Sequence, residues 1–102
     1  MGNLREPFNA EDPFDKIAQA TKTAVALAFS DAFDNAQGVE IEAQLRNEAL
    51  VTGLIVGACG CAMAMADEEA HGDLRAALIA MIPGCFDQAR DIAGLPPLGV
   101  QQ

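Results

Sequence analysis

An all-α fold is predicted for this chain: a bundle of about three helices, over roughly residues 13–37, 40–66 and 68–93. Three observations predict it. The apolar fraction is 51%, yet aromatic residues are confined to five Phe, with no Trp or Tyr. The apolar content is therefore mostly Ala, Leu, Ile, Val and Met, and Ala and Leu are the strongest helix formers. Apolar residues recur at helical spacing, whereas alternating β-branched runs are missing. Caps and breakers also fall where three helices need them. The length of 102 residues fits a single helical domain over 1–102, with mobile tails at about 1–11 and 95–102.

The first helix opens at Asp12-Pro13. Aspartate is a good N-cap, and proline at the first helical position sacrifices no hydrogen bond. Phe14, Ile17, Thr21, Val25, Ala28, Phe29, Ala32, Phe33 and Ala36 then form a helical stripe. Gly38 is the natural residue to follow the C-cap. Asp12 and Lys16 are four apart with the acid first, the favourable order.

The second helix is expected from Val39 or Glu40, with Glu42 and Arg46 as another well-oriented pair. From Ala49 to Ala66 there is no charge. A helix that is apolar all round needs cover on every side, more than two neighbours in a small bundle readily give. Self-association through this helix, as a homodimer or higher oligomer, is the economical expectation. Gly53, Leu54, Gly57, Gly60, Cys61 and Ala64 are the candidate interface, small residues that let a neighbour approach. The competing expectation is a transmembrane helix. The uncharged stretch has threshold length, and Gly53 and Gly57 form a GxxxG pair. However, few of its residues favour insertion strongly, and no Lys or Arg cluster flanks it. A close-packed core helix in a water-soluble chain is the favoured reading.

The third helix is expected to open in Asp67-Glu68-Glu69, since acids suit a helix N-terminus, or at Asp73 after Gly72. Leu74, Ala77, Leu78, Met81, Cys85, Ala89 and Ile92 keep one phase through Pro83-Gly84. That continuity predicts one helix kinked at Pro83 rather than two helices. Gly94, Leu95 and Pro96 supply a terminating glycine, a hydrophobic contact and a stop.

Composition excludes several functions. Fifteen acids against six bases give a net charge of −9, and no two bases are adjacent. Nucleic acid and anionic membrane surfaces both require clustered Lys or Arg, so direct binding to either is disfavoured. The opening Met1-Gly2-Asn3-Leu4-Arg5-Glu6 has no signal-peptide character, and Glu6 stands where a myristoylation motif needs Ser or Thr. Three cysteines without a secretion signal predict free thiols in a reducing cytoplasm.

Candidate chemistry is thin. Cys59, Cys61, Met63 and Met65 are soft ligands at alternate positions. On a helix, Cys59 pairs with Met63 and Cys61 with Met65, and the pairs point roughly 160–200° apart. One helix cannot close such a site, so core filling by these side chains is preferred. Adding His71 and Cys85 matches no structural zinc spacing. His71, beside Gly72, is expected to be solvated in a turn, and Cys85 to lie in the core. With Ser30 the sole serine and His71 the sole histidine, no nucleophile–base pair assembles, and phosphate-binding glycine loops are absent. Neither catalysis nor a metal or other cofactor is expected.

The acids suggest a surface for another protein. Asp15, Asp31, Asp34, Glu42 and Glu48 are the candidate partner-binding residues, an outer face complementary to a basic protein surface. By analogy of size and charge alone, compact phage- or mobile-element-encoded inhibitors are the class suggested. The alternatives are a small membrane protein oligomerising through 49–66 and a soft-metal or thiol protein using Cys59 and Cys61.

Overall fold

The computed structural model describes Asn9 and residues 11–99. Its order is α1 (Pro13–Ala36), α2 (Ala43–Ala64), a single 3-10 turn (Glu68–Ala70) and α3 (His71–Ile92), with no strand among the described residues. The expected segments 1–8, 10 and 100–102 of the tails lie outside the described residues.

Aspartate caps α1 as its chemistry requires. Asp12 Oδ2 accepts the Asp15 backbone N–H at 3.1 Å, and the Asp12 carbonyl accepts the first helical bond, from Lys16 N at 2.9 Å. Asp15 Oδ2 in turn accepts the Asn9 N–H at 2.8 Å, and Asn9 Oδ1 accepts that of Glu11 at 3.0 Å. The two carboxylates thus satisfy donors on both sides of the helix start. At the other end Gly38 is not left-handed, contrary to expectation. Positive φ among the described residues occurs at Gly94 and Gly99 alone. Instead α1 runs out through short turns, Gln37 N to Asp34 O at 3.2 Å and Gly38 N to Asn35 O at 3.3 Å.

α2 begins at Ala43, later than the expected 40, with Glu42 as N-cap in an extended conformation (φ −59°, ψ 141°). Arg46 explains the delay. Its Nη2 reaches back to the Val39 and Ile41 carbonyls, at 3.2 and 3.3 Å, and so holds residues 39–42 outside the helix. The predicted partner Glu42 makes no side-chain cap bond. α2 stops at Ala64 rather than 66, because Met65 N and Ala66 N turn to the Ala62 and Met63 carbonyls. The acids Asp67–Glu69 follow, placed at the entry to α3 as the helix dipole favours.

α3 is one helix through Pro83. Its end is a Schellman closure: Leu95 N donates to Arg90 O at 2.9 Å and Gly94 N to Asp91 O at 3.0 Å, with Gly94 at φ 78°. Arg90 Nε and Nη2 both donate to Pro96 O, at 3.1 and 2.8 Å, so the first residues beyond the helix are tied down.

The chain divides into two compact units, one of Met1–Gln19 with Gly72–Gln102, the other of Ala20–His71. In the first, Ala18, Leu74 and Leu78 are half-buried. In the second, the half-buried apolar residues are Phe29, Ala36, Leu50, Cys59, Ala62 and Ala66, and Phe29 meets Phe33 with ring centroids 6.4 Å apart. No described residue is fully buried. The expectation of a core helix over 49–66 is therefore corrected: Val51 is 50% exposed, Ile55 53% and Val56 65%. Cys85 is likewise exposed rather than core.

Candidate functional site

Within the second unit, α1 and α2 form a helical hairpin with an open groove of about 280 Å³, lined by Ala28, Phe29 and Ala32 from α1 and Ala49, Leu50, Gly53 and Leu54 from α2. Helical pitch of roughly 100° per residue then fixes which residues share that side of α2. Gly53, Gly57, Gly60 and Ala64 fall in one line, with Leu54 and Cys61 on its flank. These are the six residues expected at an interface, and all are exposed. A side chain built at Gly53, Gly57 or Gly60 would meet nothing within 4 Å. No neighbour among the described residues fills the room these glycines leave.

The acids are distributed differently from the single face expected of them. By the same pitch, Asp31 and Asp34 point away from the α1 side that carries Ala28, Phe29, Ala32 and Ala36, and both are exposed. Glu48 lies on the side of α2 away from the hairpin groove, in a shallow concavity with Gln44, Asn47, Val51 and Thr52. Glu42 stands at the start of α2. Asp15 belongs to the first unit and is half-buried, its carboxylate already engaged by Asn9. The structure therefore brings Asp31, Asp34, Glu42 and Glu48 into one unit and leaves Asp15 to a capping role.

A second groove, of about 220 Å³, lies at the α1–α2 connection between Ala36, Val39, Ile41, Arg46, Ala49 and Leu50. Arg46 closes it. The guanidinium serves loop carbonyls, and its Nε is shielded without a partner. Sequence reasoning read Arg46 as half of an ion pair and missed this clasp. The available signal was a lone arginine just after two apolar loop residues, whose carbonyls would otherwise go unpaired.

The sulfur-bearing residues do not converge. Cys59 is half-buried, Cys61 and Cys85 are exposed, and all three are free thiols. α2 is helical through Cys59–Ala64, so the cysteines project to different sides. Among the described residues no group of three or more His, Cys, Asp or Glu side chains is placed to hold a metal ion. His71 is the first residue of α3 rather than a solvated turn residue; it is half-buried, with Nε2 shielded and unpartnered.

α2 is the one described helix long and apolar enough to cross a membrane, by length and composition: it has 22 residues, and an 18-residue window within it has a mean hydropathy of 1.4, with none of that window buried. No protein family, curated protein or solved structure matches the chain.

Proposed function

We propose that this is a non-catalytic protein-binding protein, which associates with itself through α2 and engages a basic partner protein through the acids carried outward by α1 and α2. One observation carries the reading: α2 has no charge from Ala49 to its end, and of that stretch only Leu50, Cys59 and Ala62 are as much as half-buried, the rest being exposed. Apolar surface of this extent marks an interaction site. The glycines sharpen the point. Each costs a helix interior about 1 kcal/mol relative to alanine, and that cost is offset where a neighbouring backbone comes close. Among the described residues none lies within 4 Å of a side chain placed at Gly53, Gly57 or Gly60.

Asp31, Asp34, Glu42 and Glu48 supply the second surface. With a net charge of −9, the chain steers toward basic proteins and away from nucleic acid. A cytoplasmic setting and a role as an inhibitor, of the kind phages and mobile elements carry, are part of this proposal and rest on size and charge.

The test is affinity capture from native lysate without detergent, using wild type and the triple variant Asp31→Lys, Asp34→Lys, Glu48→Lys. A salt-sensitive partner held by wild type and lost from the folded variant is the expected result; capture unaffected by the reversals contradicts it. A second reading, a membrane protein oligomerising through α2, is favoured by the length and exposure of that helix. Partition of the chain into the membrane fraction, released only by detergent, would establish it instead.

A further inference from the structure

Beyond α3 the chain runs Leu95-Pro96-Pro97-Leu98 between two left-handed glycines, Gly94 at φ 78° and Gly99 at φ 89°. We propose that this segment is a preformed polyproline II ligand, and that its partner is a protein domain with a slot between aromatic rings, of the kind WW domains use. The segment carries none of the acids named above and lies outside α2.

The conformation follows from the residues. Each proline fixes its own φ at about −65°, and a proline next in sequence holds Leu95 and Pro96 in the extended region. Accordingly, residues 95–97 belong to no helix, strand or turn. Leu98 and Gly99 form a turn with φ positive at Gly99 and not at Leu98, the signature of a type II turn. Such a turn holds Leu98 itself at about φ −60° and ψ +120°, close to polyproline II. Four consecutive residues therefore share one backbone form and span about 12 Å.

Ending a helix does not require this. Gly94 and Leu95 already close α3 through the Asp91 and Arg90 carbonyls, and one proline is enough to stop the helix. The second proline adds stiffness. Arg90 adds more, because its Nε and Nη2 grip the Pro96 carbonyl at 3.1 and 2.8 Å. Those bonds occupy one carbonyl and leave the side chains in solvent: both prolines are exposed, as are Leu95 at 49% and Leu98 at 61%. A rigid, exposed apolar edge loses little conformational entropy on binding, the property that proline-recognition domains exploit. Spacing selects among them. Adjacent prolines fill one aromatic slot with a leucine on either side, whereas SH3 domains read prolines three apart, and no two of the five prolines have that spacing.

The test titrates the full chain, fluorescently labelled at its N-terminus, against a panel of purified WW domains, with SH3 domains for comparison. The double variant Pro96→Ala, Pro97→Ala keeps the Gly94-Leu95 closure, and unchanged circular dichroism shows that it folds. Saturable binding of wild type to WW domains of the panel is expected, weakened about tenfold or more in the variant. Arg90→Gln keeps both prolines but frees the segment, and should weaken binding by about threefold. Binding that survives in the double variant, or a panel in which no WW domain saturates with wild type, would overturn the proposal. Proline-dependent binding to the SH3 domains alone would overturn the partner assigned to the segment. Asp31, Asp34 and Glu48 are untouched in every variant here, so this binding and capture through the acids fail separately.

Discussion

Arg46 and Asp12 show what single side chains do where no described residue is fully buried. Arg46 directs its guanidinium to the Val39 and Ile41 carbonyls, where it fastens the α1–α2 connection to the first turn of α2. Replacing it by methionine keeps the apolar stem that lines the groove and removes the bonds. Hydrogen bonds to a charged group contribute about 1.5–3 kcal/mol, and partial exposure puts Arg46→Met at the low end. A urea midpoint lowered accordingly, with an unchanged slope, is the expected readout. Asp12→Ala removes the α1 cap and should cost about 1 kcal/mol in the same measurement. If either variant melts like wild type, that side chain does not hold its helix end as described.

At the level of elements, α3 holds the clearest test. Pro83 removes one backbone donor from the helix interior, leaving the Ile79 carbonyl without its usual partner. Pro83→Ala restores that bond, and the proposed kink should relax. An increase in stability of up to about 3 kcal/mol, with greater helicity by circular dichroism, is expected. A loss of stability would mean that a bend at Pro83 is required by what packs against it.

The same elements show how far the sequence is legible. The Asp12 cap and the Gly94-Leu95 closure were readable, because cap chemistry is local and each residue there satisfies a backbone group a few positions away. The continuity of α3 was readable from the unbroken phase around Pro83. The start of α2 was not, since it is decided by an arginine reaching back across seven residues to Val39. Periodicity also cannot say whether a face is covered. Ala49–Ala66 and Cys85 read as core because they are apolar, yet Val51, Ile55, Val56 and Cys85 are exposed, and Leu50, Cys59, Ala62 and Ala66 only half-buried. Of the candidate site, the line of small residues on α2 was legible from spacing, while the engagement of Asp15 in capping was not.

For the whole molecule, α2 is proposed as the association surface, since a chain of this apolar content with no fully buried residue among those described leaves its hydrophobic surface to be covered from outside. The most direct measurement is sedimentation equilibrium, without detergent, of wild type and of the double variant Gly57→Leu, Gly60→Leu. Leucine is a better helix former than glycine, so the variant should keep its helical circular dichroism. A dimeric or larger wild type is expected, and a variant that dissociates at the same concentration. A monomeric wild type, or a variant that associates as tightly as wild type, would contradict it.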